Sequence, residues 1–99
     1  MEDDLDPVIH SVSRLRVVAT LAVLPVGDRI VFPRLQQLLD MTAGNLSTHL
    51  RRLEDAGYVV STKTFEGRTP ATYLELSTAG RAAFERYTAS LQALLKGRS

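Results

Sequence analysis

Apolar side chains recur along this chain at two different spacings, and the switch between them divides it. Leu15, Val18, Ala19 and Ala22 share one face of a helix, and either Ser11 or Ser13 can accept from the free N–H groups of its first turn. That helix is predicted to run to Leu24, where Pro25 and Gly27 end it. Arg29 to Phe32 leaves room only for a short extended piece. Pro33 suits the first turn of a second helix, with Leu35, Leu38 and Leu39 turned inward. Asp40-Met41 makes a tight connection. Thr42 then caps a third helix reaching Ala56, and Gly57 offers the left-handed stop. On this third helix Leu46, Leu50 and Leu53 form a stripe at i, i+4, i+7.

Beyond Gly57 the period shortens to two. Tyr58 to Phe65 is rich in β-branched and aromatic residues and predicts a strand. Glu66-Gly67-Arg68-Thr69-Pro70 reads as a turn, and Ala71 to Leu76 as a return strand with Thr72, Leu74 and Leu76 on one face. Ser77 caps a last helix running to about Lys96. The order is helix, short strand, helix, helix, hairpin, helix. This is an α+β arrangement, mostly α, in the form of a winged helix-turn-helix with a two-stranded wing. A single domain over residues 1–99 is expected, with an N-terminal arm at 1–10, a core at 11–76 and a C-terminal dimerisation helix at 77–96.

Composition narrows the function classes. With 44% hydrophobic and 23% charged residues, the chain has the make-up of a water-soluble globular domain. No apolar run approaches the roughly 18 residues of a membrane span, and the acidic start is unlike a signal peptide, so a cytoplasmic protein is expected. The absence of cysteine removes disulfides, thiolate metal sites and cysteine nucleophiles. The net charge of +1 conceals an asymmetry. Glu2, Asp3, Asp4 and Asp6 gather four of the 11 acidic residues, leaving 12 basic against 7 acidic from Pro7 onward. A basic body of this kind suits a nucleic-acid partner without requiring one.

The third helix has the make-up of a groove reader. Behind its leucine stripe lie Gly44, Thr48, Arg51, Arg52 and Asp55, with Asn45 and Ser47 on the flanks. Small and polar residues at a helix start can approach base edges in the major groove, and arginines a turn later reach phosphates or guanine. Such a stripe is also what an ordinary solvated face looks like, and Glu54 and Asp55 would repel phosphate. They sit at the end where such a helix leaves the groove. The hairpin adds Lys63 and Arg68, expected to flank Gly67 at the tip, where an arginine can enter a narrow minor groove. A charged tip could equally serve only to keep an edge hairpin soluble.

Residues 14–24 (RLRVVATLAVL), 45–60 (NLSTHLRRLEDAGYVV) and 65–81 (FEGRTPATYLELSTAGR) resemble winged-helix regulators of the MarR and ArsR type, above all the short stand-alone members. The likeness extends over roughly residues 7–95. It implies that the helix at 42–56 lies in the major groove and the hairpin at 63–70 touches the minor groove. Asn45, Ser47, Thr48, His49, Arg51 and Arg52 then become readers or phosphate clamps, with Arg68 on the wing; Thr42, Gly44 and Lys63 complete the expected DNA-contacting set on helix and hairpin. Asp40 stands where such turns often carry glycine, and aspartate tolerates the left-handed region.

Phe84, Tyr87, Leu91, Leu94 and Leu95 recur at helical spacing on the last helix, beside Gly80 and Ala83. The other elements already supply apolar residues for a small core, so this stripe is expected to pack on a second copy, helped by Leu5, Val8 and Ile9. A homodimer then binds double-stranded DNA and, by family habit, represses. An enzyme is not expected, because no Gly-rich phosphate loop or nucleophile elbow is present. No cofactor or metal site is assigned, although His10 near Asp3, Asp4 and Asp6 could chelate a cation. Two other readings stay open. One is a protein-interaction module using Tyr58, Tyr73 and Phe65. The other is a sensor with a small ligand between the last helix and the body.

Overall fold

The computed structural model describes residues 5–97. Helix α1 spans Val12–Ala22, strand β1 Ile30–Val31, helix α2 Phe32–Leu39 and helix α3 Ala43–Asp55. Strands β2 (Val59–Glu66) and β3 (Thr69–Leu76) follow, and helix α4 covers Thr78–Leu95. The expected caps are in place. Ser11, Thr42 and Ser77 each accept a hydrogen bond from the N–H three residues on, at the starts of α1, α3 and α4. Asp40 ends α2 in the left-handed conformation (φ 55°, ψ 48°), as its short polar side chain permits.

Two helix ends are closed by distant arginines. Helix α1 stops at Ala22, two residues before the predicted end, and Arg81 donates to the carbonyls of Ala22 and Leu24 there. Arg16 donates to the Leu39 carbonyl at 2.6 Å and closes α2. Both satisfy carbonyls that a helix C-terminus leaves without partners.

The sheet is antiparallel in the order β1-β3-β2. Val59 pairs with Leu76 and Glu66 with Thr69, so the hairpin closes through only Gly67 and Arg68. The five-residue turn expected from the sequence is therefore mostly strand. Gly67 takes φ 66° and Arg68 does not share its positive sign, the pattern of a two-residue turn with glycine leading.

The core gathers Val17, Val18 and Leu21 of α1, Leu35 and Leu39 of α2, Leu46, Leu50 and Leu53 of α3, and Val59, Leu74 and Leu76 of the sheet. Three expectations change here. On α1 the buried face centres on Val17, Val18 and Leu21, leaving Leu15 and Ala22 at its margin. On α2 Leu38 is half exposed, because a helix of eight residues buries only one edge and Leu35 and Leu39 fill it. Thirdly, Ile9 and Tyr87, expected at a dimer interface, are 0% and 3% exposed within their own chain. They have no surface left for a partner, since the N-terminal half of α4 closes the core with Gly80, Ala83 and Tyr87.

The segment before α1 is fastened to the body. Asp6 accepts from the Val8 N–H and from the Tyr58 hydroxyl, and Arg14 donates to the Val8 carbonyl. His10 Nδ1 lies 2.9 Å from the Tyr87 hydroxyl, while Asp3 and Asp4 fall outside the described residues. The hydrogen bond that the Tyr58 hydroxyl donates to Asp6 is the largest cause raising the Tyr58 pKa above its ordinary value of 10.0. A raised folded-state value means this contribution to stability is whole below about pH 10 and fades as pH climbs through the folded-state pKa. Urea midpoints measured from pH 8 to 11 should therefore fall at the alkaline end. Tyr58→Phe should flatten that arm of the curve; an identical alkaline decline in the variant would remove Tyr58 as its source.

Candidate nucleic-acid interface

Helical periodicity sorts the side chains of α3 around its axis. With Leu46, Leu50 and Leu53 buried, Ser47, Arg51 and Glu54 lean toward the hairpin, and Gly44, Thr48 and Asp55 point away from the body. Asn45 and Arg52 take the other flank, with His49 below them and half-buried. Thr42, Gly44, Asn45, Ser47, Thr48, Arg51 and Arg52 are all exposed. The helix start is tight and narrow. Thr42 Oγ1 accepts from the Asn45 N–H at 3.1 Å, and a β-carbon on Gly44 would meet nothing within 4 Å. Thr48 donates its hydroxyl to the Gly44 carbonyl at 3.0 Å, which settles its rotamer and leaves its remaining acceptor capacity free.

Beyond its base the hairpin projects from the body, since residues 63–70 are all exposed. Lys63 pairs with Thr72, three pairs below the last one, Glu66 with Thr69. Lys63 is thus not at the tip, where the sequence placed it. It lines a cleft of about 290 Å³ between hairpin and α3. Ser47, Arg51 and Glu54 form one wall and Ser61, Lys63 and Thr72 the other, over Leu50 and Leu74. Two cations and three hydroxyls against one carboxylate make this cleft suited to a phosphodiester. Arg68 alone occupies the turn beside Gly67.

Several contributors were not visible in the sequence reading. Ser61 and Thr72 enter the cleft only because β2 and β3 pair in this register. The outer face of the wing is braced by Arg29, whose guanidinium lies 4.9 Å from the centre of the Tyr73 ring, and by the Tyr73 hydroxyl donating to Glu66. No local signal joins Arg29 to Tyr73; the pairing of Val31 with Tyr73 does. Tyr58 and Tyr73, considered as free contact aromatics, are half-buried and hydrogen-bonded to Asp6 and Glu66. No group of three or more His, Asp or Glu among the described residues could hold a metal ion, and none of their helices is long and apolar enough to cross a membrane.

A helix-turn-helix whose outward helix stands beside a projecting basic hairpin defines a winged-helix domain of the kind found in transcriptional regulators. Residues 13–95 match the winged helix DNA-binding domain family, and the chain belongs to it. An uncharacterized protein of Methanocaldococcus jannaschii is 32% identical over 89 residues, covering 90% of this chain and 94% of that protein. The structure of a transcriptional regulator homologue from Pyrococcus horikoshii superposes with a TM-score of 0.84 at 29% identity, covering 96% of this chain and 91% of that one. S. aureus MepR, solved with DNA, shares the fold with a TM-score of 0.76 at 16% identity, over 95% of this chain and 74% of its own. Regulators of the MarR and ArsR families are among the structural neighbours.

Proposed function

We propose that this chain is a sequence-specific regulator of transcription that binds double-stranded DNA as a homodimer, with α3 in the major groove and the wing at the adjacent minor groove. One observation carries this reading. The cleft that holds Ser47 and Arg51 of α3 also holds Lys63 of the wing, so helix and hairpin offer one cationic surface rather than two unrelated ones. Thr48, Asn45 and Gly44 stand at its leading edge, where base edges are read. Arg51, Lys63 and Arg52 hold phosphates that set the register, and Arg68 reaches the minor groove.

The dimer is supported by what α4 leaves uncovered. Leu94 and Leu95 are 42% and 77% exposed at the end of an 18-residue helix, and Leu5, Val8, Phe84 and Leu91 are only partly buried. These six, without Ile9 and Tyr87, form the surface proposed for a two-fold contact. A dimer with two such heads addresses half-sites about one helical turn, roughly 34–36 Å, apart. A dimer seated on a promoter occludes it, so repression is the proposed outcome.

Selection of bound sequences from random duplex DNA tests the whole proposal. A palindromic product with half-sites about 10 base pairs apart is expected. Absence of any enriched sequence at low salt would overturn it. Arg68→Ala should weaken binding to all sequences alike and make the salt dependence shallower by about one unit of slope. Asn45→Ala or Thr48→Ala should instead change which sequences are selected.

A further inference from the structure

The wing carries an aromatic ring that neither the core nor the base readout described above employs. Phe65 is 68% exposed, its ring standing in water on the projecting hairpin. Strand pairing fixes its neighbours. It pairs directly with Pro70, so the two rings lie side by side on the same face of the hairpin. It is two residues along β2 from Lys63, which puts it on the face that looks into the cleft. From base to tip, that hairpin therefore presents a cation at Lys63, an apolar pair at Phe65 and Pro70, and a cation at Arg68.

We propose that Phe65 is a wedge that enters the minor groove and partly unstacks one base step of the duplex that α3 engages. The proposal rests on the DNA-binding reading and adds a second source of specificity to it. Proteins that bind the minor groove frequently insert an apolar side chain between base steps, which kinks the duplex and brings more of it against the protein. Three features fit Phe65 to that task. Pro70 backs the ring with a backbone whose φ is fixed, Lys63 and Arg68 stand on either side of it where they can grip phosphate and groove, and a tight two-residue turn closes the hairpin just beyond it. A phenylalanine makes no hydrogen bond, so it selects by deformability. Pyrimidine–purine steps such as TA and CA, the easiest to open, are its preferred occupants.

The test uses the duplex recovered by selection, with 2-aminopurine replacing each adenine in turn across the minor-groove segment roughly five base pairs from each half-site centre. Wild-type protein should raise the fluorescence at one step, reporting lost stacking. Phe65→Ala should abolish that rise and weaken binding about tenfold. Arg68→Ala should weaken binding yet keep the rise once the duplex is saturated. Replacing the opened step by GG should weaken the wild type and leave Phe65→Ala unaffected. A rise that survives in Phe65→Ala, or wild-type binding with no rise anywhere, overturns the wedge and leaves the DNA-binding reading standing. The same holds if Phe65→Ala changes self-association and not the DNA. Failure of the wild type to bind any duplex overturns both.

Discussion

Gly80→Ala should lower the melting temperature by about 10–20 °C, corresponding to a loss of roughly 2–3 kcal/mol. Helix propensity alone predicts the opposite sign, because alanine is favoured over glycine by about 1 kcal/mol inside a helix. Space decides against it. A β-carbon at position 80 would stand 2.1 Å from the Tyr58 carbonyl oxygen and 2.9 Å from its carbon, and these are backbone atoms that cannot swing aside. The same carbonyl accepts from the Ser77 N–H at 2.9 Å, and the Ser77 hydroxyl bonds back to the Gly57 carbonyl and caps α4 through the Gly80 N–H. To admit a methyl group, α4 must move away from the chain segment that joins α3 to the wing. Gly44→Ala is the control, since nothing lies within 4 Å of its added carbon, and it should be neutral or stabilising by up to about 1 kcal/mol. Equal effects from the two substitutions, measured calorimetrically, would rule out the close approach at Tyr58 as the cause.

Arg51→Ala combined with Arg52→Ala should weaken DNA binding roughly 100-fold and reduce the slope of log K against log salt by about two. The two arginines occupy different flanks of α3. Arg51 lines the cleft shared with the wing, and Arg52 is on the far side beside Asn45. A helix seated in a major groove has a phosphate strand along each flank, so in the proposed docking each arginine is expected to meet a different strand and their losses should add. Both side chains are exposed, and the double variant should melt within a few degrees of the wild type. Fluorescence anisotropy with a labelled duplex across a salt series reads both quantities. A double variant that binds like the wild type would mean the outward face of α3 is not the DNA face. A slope change near two with the selected sequence unaltered would assign both arginines to phosphates and leave base readout to Asn45 and Thr48.

Lys63 illustrates how far a site can be read before its fold is known. That it belongs to the basic surface followed from composition and position on a hairpin. That it faces Arg51 across a cleft, and not solvent at the tip, followed from a turn of two residues in place of five. Pro70 moved from turn to strand in the same step, which is what set its ring beside that of Phe65, already expected on the first strand. Glu54 shows the converse. Read as lying at the end where the helix leaves the groove, it sits within the cleft beside Arg51, where it tempers the local positive charge.

Features that depend on a few neighbouring residues were determined by the sequence by itself. The caps at Thr42 and Ser77, the left-handed Asp40 and the leucine stripe of α3 are local, because helix ends and amphipathic faces are settled by hydrogen bonds and periodicities within a turn or two; at α1 the sequence offered Ser11 and Ser13, and the structure uses Ser11. Contacts between residues far apart in the chain were decided only by the tertiary structure. Ile9 and Tyr87 went into the core and Leu38 stayed half out, Arg81 closed α1, and Gly80 met Tyr58. Apolar spacing states that a side chain wants cover; which surface covers it depends on how the helices are packed, and that is a property of the whole chain.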